Sequence, residues 1–304
     1  MGIIHALKTV QYSDNVVVVD NKLLLEIQSR LLQIMKDIAE VCEKENIKWS
    51  LSGGSVIGAV RHKGFIPWDD DIDIFMERSE FEKFKLIFSK YFNHIYELKL
   101  PGDKGYLFHF PQIHDRKSKI KDIQSVGNEM SGLFIDIFIL ENTYDNVFLR
   151  TLHGVLSTCF LFIDSCLRMN LCKDNILKYT NNDEKIRKAL LMRSKWAFLF
   201  KFISFETWLK LSEKCFSKVK RQKTKYVVCP SGGHHFFGEI FYRNKMTSIM
   251  KAPFETEQWF IPIGYDYYLT KRYGKNYMDI PKESERERHI YAEINLHSNI
   301  TEEE

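Results

Sequence analysis

Four carboxylates crowd into five positions of the stretch GGSVIGAVRHKGFIPWDDDIDIFM (53–76): Asp69, Asp70, Asp71 and Asp73. Their neighbours Phe65, Ile66, Trp68, Ile72, Ile74 and Phe75 are residue types of a core. Like charges held this close raise one another's pKa unless something neutralises them. The alternation of Asp71 and Asp73 with Ile72 and Ile74 predicts a strand, which puts those two acids on one face. Asp69 joins that face if the strand starts early, whereas Asp70 points to the other side. The economical neutraliser is a divalent cation, Mg²⁺ or Mn²⁺, because hard ions prefer carboxylate oxygen. A solvated acidic loop or a Ca²⁺-binding turn is the alternative. The alternation speaks against a loop, and no glycine falls where an EF-hand needs one.

The same stretch begins with Gly53, Gly54 and Ser55. Glycines let backbone N–H groups approach a ligand, and a serine at a helix start adds a hydroxyl, which is the physical basis of a phosphate cradle. Alone, this is also an ordinary turn. Facing a metal-binding Asp-x-Asp across adjacent strands, it has the layout of a phosphoryl- or nucleotidyl-transfer site. Asp136, within LFIDIFIL (133–140), alternates in an apolar strand where a lone carboxylate is expensive without a partner. Its ordinary reading is a buried acid satisfied by backbone amides.

These residues need elements to hold them. Leu24, Ile27, Leu31, Ile34, Ile38 and Val41 recur every three or four positions and predict an amphipathic helix over 22–45, stopping at Asn46. IKWSLSGG predicts a short strand entering the glycine turn, with one or two helical turns over 55–61. Ser79 and Glu82 are spaced as a capping box for a helix running to about Tyr91. GYLFHFPQIHD (105–115) and LFIDIFIL read as further strands. The order is that of an α/β fold, an α+β mixture built on a small mixed sheet. Residues 148–172 and 186–223 read as helical, with few turn signals. The expected organisation is a catalytic core over 1–141, a basic helical insertion over 142–225, and a C-terminal part over 226–304 that completes a wall of the site and ends in an acidic tail.

The 53–76 motif closely resembles the signature of the LicD family of phosphotransferases, which are similar in fold to the nucleotidyltransferase superfamily and related to the fukutins. The resemblance continues in GLFIDIFIL (132–140) and IPIGYDYYLTKRYGKNYMDIP (261–281), with Arg288 and His289 closing it. It implies a LicD-type phosphotransferase that moves phosphocholine from CDP-choline to a sugar hydroxyl of a surface glycan or its precursor, such as lipopolysaccharide, teichoic acid or capsule, releasing CMP. Carried over by position, Asp71, Asp73 and Asp136 become the catalytic and metal-binding acids, with Mg²⁺ or Mn²⁺ as cofactor. Gly53, Gly54 and Ser55 become the phosphate turn. Arg61 and Lys63 are placed to stabilise the leaving charge, unless they are merely solvated. Transfer of another phospho-alcohol (glycerol or ribitol phosphate) or of a nucleotidyl group stays open, as does a catalytically silent glycan-binding protein. A choline head would need an aromatic box; Trp68, Phe236, Phe237, Tyr242 and Trp259 are the candidates, and Trp68 is the one near the chemistry in sequence. His234 and His235 are available to touch substrate.

The rest of the composition constrains partners. With 44% hydrophobic and 28% charged residues, the 304-residue chain is globular in character, and its net charge of +4 implies no nucleic-acid partner. The charge is uneven: Lys185 to Lys225 holds 13 Lys or Arg against Glu206 and Glu213, a local +11 that leaves about −7 elsewhere. That segment fits the surface of an anionic membrane that presents a lipid-linked acceptor, or else a helix packed on the core with solvated cations. Six cysteines without metal or scaffold spacing read as free buried thiols. MGIIHALKTVQYSDN does not read as a signal peptide, and the apolar run 152–163 is short for a bilayer crossing. The expectation is a cytoplasmic protein, peripheral on the inner face of the membrane.

Overall fold

The computed structural model describes residues 12–297 apart from 14, 221–222 and 287–288. Most of MGIIHALKTVQYSDN, the acidic tail and Arg288 therefore lie outside the described residues. The predicted first helix is α1, Asn21–Lys44, capped by Asp20, whose carboxylate accepts the Leu23 N–H at 2.8 Å. Leu24, Ile27, Leu31, Ile34 and Ile38 form its buried stripe, joined by Met35 and Cys42, and Asn46 ends it with φ +52°. Each fully buried aliphatic side chain contributes about 1.5–3 kcal/mol relative to exposure.

The chain then forms β1 (Ser50–Leu51), helix α2 (Gly53–Ile57), a π-helical turn (Gly58–His62) and β2 (Asp73–Glu77). Next come α3 (Arg78–Phe92), β3 (Tyr96–Lys99), β4 (Gln112–Asp115), β5 (Lys119–Asp122) and β6 (Phe134–Asn142). The main sheet runs β1-β2-β6-β4-β3, with β2 and β6 parallel and the other pairs antiparallel. It is the expected mixed sheet of an α/β fold. One face presents Ile74, Met76, Ile113, Ile135, Ile137 and Ile139, all buried, and α1 and α3 pack against the sheet. The opposite face carries the acids.

After β6 the helices α4 (Val147–Tyr179), α5 (Glu184–Ser194) and α6 (Phe205–Phe216) form a layer. The chain then returns to the sheet, where β7 (Tyr226–Val228) pairs with the end of β6 and with β8 (Ile240–Tyr242). The hairpin β9 (Ile249–Phe254) and β10 (Glu257–Pro262), helix α7 (Tyr265–Tyr273) and β11 (Tyr291–Asn295), paired with β5, complete the fold.

Several local expectations change. Ser79 and Glu82 make no capping box: α3 starts at Arg78 after Glu77, and Glu82 pairs with Arg78 and Lys85 instead. Of 105–115, only Gln112–Asp115 is strand, because Tyr106 bonds the Phe110 carbonyl at 2.6 Å and folds the preceding aromatic run into a loop. The 186–223 region breaks after a 3₁₀ turn (Lys195–Leu199), and α6 restarts at Ser204, whose hydroxyl accepts the Thr207 N–H at 3.2 Å. The apolar run 152–163 is part of a 33-residue helix, long and apolar enough to cross a membrane by length and composition. All six cysteines are free; Cys159 is exposed and Cys215 half-buried, unlike the other four.

Candidate active site

The alternation seen in sequence places Asp73 and Phe75 on one face of β2, and Asp136 and Phe138 on one face of β6. Parallel register sets Asp73 directly beside Asp136, and antiparallel register sets Gln112 on the other side of Asp136. Gln112 Nε2 donates to Asp136 Oδ1 at 2.7 Å, and its Oε1 lies 3.0 Å from His114 Nε2. Burial holds His114 down to about 4, so it is neutral at physiological pH and serves as an N–H donor that fixes the Gln112 amide. Gln112 and His114 were not singled out by the sequence reading; their only signal is polar alternation within PQIHD.

Burial drives Asp73 well above the usual carboxylate range, and the carboxylates of Asp71, Asp136 and Asp69 push it further. Burial also brings Asp136 to about 7, with Asp71 adding to the rise against the Gln112 hydrogen bond. Arg272, on α7, acts on Asp73 in the opposite direction. Its guanidinium is ion-paired with the buried Glu239. The Ser231-Gly232-Gly233 turn wraps that pair: a Cβ on Gly232 would sit 2.1 Å from Glu239 Oε2, and one on Gly233 3.1 Å from Arg272 Nη2. His234 gives its backbone N–H to Glu239 at 3.1 Å, so this histidine segment supports Arg272. Arg272 lies in the quoted YDYYLTKRYG but gave no sign in sequence of facing the acids.

The glycine turn meets the acids from above. Helix α2 starts at Gly53, earlier than the expected Ser55, because Gly53 takes φ +52°, a conformation costly for residues with a side chain. A Cβ there would lie 2.3 Å from Asp73 Oδ2, and one on Gly54 would lie 3.0 Å from Asp69 Oδ2. The Gly53 N–H is donated to the Tyr268 hydroxyl at 2.9 Å, and Ser55 Oγ accepts the Asp73 N–H at 3.0 Å. Gly53→Ala is accordingly expected to cost roughly 1–3 kcal/mol of stability and to reduce turnover about a hundredfold. Thermal melting and initial rates on the same preparation check both, and a fully active variant would refute the tight approach.

The remaining sequence candidates fall into place around this centre. The strand is shorter than expected: Asp69, Asp70 and Asp71 precede β2, which starts at Asp73, so strand parity does not set their direction. Asp70 is buried. It accepts from His289 Nδ1 at 3.1 Å and from the His289 backbone N–H at 3.3 Å. Burial opposes the charge on His289, yet Asp70 raises its pKa well above the ordinary value. Arg61 donates to the carbonyls of Tyr277 and Asp279 at 3.0 and 2.8 Å, fastening that loop, with Asp69 within electrostatic reach. Lys63 is exposed, in a left-handed conformation at the end of the π turn. Trp68 is buried beneath Arg286, whose guanidinium is 4.1 Å from the ring centroid, so that face already carries a cation. Trp259 stacks on Phe254 and Phe236 packs on His153, both in the interior. Phe237 and Tyr242 keep exposed surface, and Tyr242 leans on Tyr226 and Tyr267.

The donor chemistry suits a hard divalent cation. Asp73 and Asp136 are register neighbours on one face, and Asp71 acts electrostatically on both. Among the described residues, no three His, Cys, Asp or Glu side chains are already drawn together as a complete ligand set.

Residues 46–154, which contain α2, β2 and β6 with all these acids, match the family described as LicD/FKTN/FKRP, nucleotidyltransferase domain. The chain carries a LicD-family domain. Similarity to a LicD protein extends well past that domain: the chain is 27% identical over 293 residues to the lipopolysaccharide cholinephosphotransferase LicD of Haemophilus influenzae. That match spans 89% of this chain and 97% of the relative. Uncharacterized proteins of Rickettsia prowazekii and Rickettsia typhi are each 54% identical over 44 residues, covering 14% of this chain and 16% and 14% of theirs. The site described above therefore lies within the LicD domain, except for Arg272, Glu239, Tyr268 and His289, which the C-terminal part supplies.

Proposed function

We propose that this chain is a transferase that moves phosphocholine from CDP-choline to a sugar hydroxyl of a cell-surface glycan of the lipopolysaccharide type, releasing CMP. The observation that carries this reading is the side-by-side placement of Asp73 and Asp136 beneath the Gly53 turn, inside a LicD-type domain. Similarity across nearly the full length of a protein named as a cholinephosphotransferase supports the donor class.

Asp71, Asp73 and Asp136 would hold Mg²⁺ or Mn²⁺. When bound, such an ion neutralises charge on the donor diphosphate. The chain's own residues do the rest. Gly53 and Gly54 let the Asp73 and Asp69 carboxylates close on the turn where a Cβ would collide, so that acids and turn would face the diphosphate together. Asp136, with Oδ1 held by Gln112, takes the acceptor hydroxyl proton on its other oxygen. The sugar oxygen then attacks the distal phosphorus in line, the bond from that phosphorus to the bridging oxygen breaks, and CMP leaves with the electron pair. Arg272, within electrostatic reach of Asp73, and Arg61, within reach of Asp69, would stabilise the negative charge left on CMP, with Lys63 further out in solvent.

The packing of Trp68, Trp259 and Phe236 leaves these rings unavailable as walls of a choline box, which favours testing glycerol and ribitol phosphate donors alongside. CDP-choline labelled in the choline, incubated with Mg²⁺ and a glycan acceptor, is expected to label the glycan and release CMP. Released phosphocholine with CMP on the acceptor would establish nucleotidyl transfer instead. Binding without turnover for every donor would leave a silent glycan-binding protein and overturn the proposal.

A further inference from the structure

The helical layer leaves a wide apolar surface uncovered. On α4, Phe148, Leu152, Val155, Leu156 and Phe162 are 39–75% exposed, and separations of three, four and seven among them put them on one stripe. At the end of α5 and just after it, Met192, Trp196, Phe198, Leu199 and Phe202 are 44–73% exposed. The two groups form one surface. The Arg193 guanidinium sits 5.3 Å over the Phe162 ring, and Trp208 meets Phe160 at 6.2 Å and Phe202 at 5.7 Å. Patches of this extent are uncommon on solitary soluble proteins and mark interaction sites.

Charge identifies the partner. Lys188, Lys195 and Lys201 are exposed among these apolar residues, within the segment of local charge +11. Of the nearby acids, Glu184 pairs with Lys188 at 2.8 Å on the exposed surface, leaving Lys195 and Lys201 as the cations among the aromatic residues, while Asp164 is buried and accepts from Ser212 at 2.6 Å and Glu213 pairs with Arg78 at 2.7 Å. Protruding aromatic residues interleaved with lysines match the boundary between acyl chains and anionic headgroups. We propose that this face seats the protein on an anionic bilayer, with α4 lying along the interface.

The inner side of α4 decides between lying and crossing. By length and composition it could span a bilayer, yet its other side is committed to the protein. His153 Nε2 is 2.9 Å from the Cys215 carbonyl, Asp164 holds Ser212, and Gly154 admits Phe236 and Phe237 too closely for any Cβ. Crossing would strip these polar partners in a medium that offers none. Lying flat buries only the stripe that the fold leaves bare.

Flotation of the full chain with vesicles of phosphatidylglycerol and phosphatidylethanolamine tests this, with phosphatidylcholine vesicles as the comparison. We expect recovery with the anionic vesicles only, with release by alkaline carbonate. The Lys188→Glu, Lys195→Glu, Lys201→Glu variant should lose about a hundredfold or more in partitioning. A second variant, Phe148→Ser, Phe198→Ser, Phe202→Ser, should lose binding while keeping its melting curve and its turnover on a soluble acceptor. That last readout separates failure of the membrane face from failure of the proposed activity. Retention after carbonate would mean a crossing helix and overturn the proposal. So would absence of flotation, or a dimer in solution that the phenylalanine variant abolishes.

Discussion

Asp73→Asn is expected to lower transfer by at least about a thousandfold while leaving the folded protein as stable as before, or more so. Both halves follow from one feature. Asp73 is buried beside Asp136, Asp71 and Asp69, so its charge costs folding energy that the site retains for chemistry. Its folded pKa lies well above the unfolded value, so its ionisation penalises the fold increasingly as pH rises through the neutral range; a neutral amide removes that penalty. The Asp73 N–H to Ser55 bond is made by backbone and survives the change. Thermal melting at pH 8 beside initial rates with labelled donor reads both outcomes. An active Asp73→Asn enzyme would remove Asp73 from the ligand set, and a collapsed one would show the acid to be structural.

Arg78→Met is expected to do the opposite, destabilising the molecule with little direct effect on chemistry. Arg78 is the first residue of α3 and is largely buried. It pairs with Glu141 at the end of β6, with Glu213 of α6 at 2.7 Å and with Glu82 at 3.2 Å. Burial opposes charge on Arg78 and Glu141, and the attraction of Glu141 and Glu213 holds the guanidinium charged. Removing the cation leaves Glu141, only 2% exposed, facing Glu213. Breaking one side of such a pair typically costs about 3–5 kcal/mol, which in a chain of this size lowers Tm on the order of 10 °C. The lost partner raises the folded pKa of Glu141, so the defect is fully present at pH 8 and shrinks as pH falls towards that of protonated carboxyls. Glu141→Gln in the same chain should recover part of the loss. A melting temperature unchanged at pH 8 would show that water, and not the arginine, satisfies these acids.

How far the sequence reveals this site depends on the range of each contact. The alternations DIDIF and FIDIF mark Asp73 and Asp136, because strand parity is local, whereas Asp70 and Asp71 fall before β2 begins and parity does not place them. That Asp73 and Asp136 stand side by side depends on parallel register, which no single segment encodes. Gln112, His114, Tyr268 and Arg272 escape notice for the same reason: each is unremarkable until the fold brings it to the acids. The helical region shows the reverse failure. Few turn signals make 186–223 read as helical, whereas a break falls within it, set by the Ser204 cap and by Trp208, whose Nε1 donates to the Phe200 carbonyl at 2.8 Å. Ser79 and Glu82 had capping spacing, but Arg78 was drawn into the helix by its acids.

The hydroxyl of Tyr268 that holds the Gly53 amide lies 215 positions further along the chain, and His289 holds Asp70 from 219 positions away. Both are therefore synthesised well after the parts they hold. Until then the glycine turn lacks its Tyr268 anchor and Asp70 lacks His289. The active centre thus depends on long-range closure, the kind of contact whose entropy cost grows with the loop it closes. A chain cut before α7 would carry the acid-bearing strands without Tyr268 or Arg272.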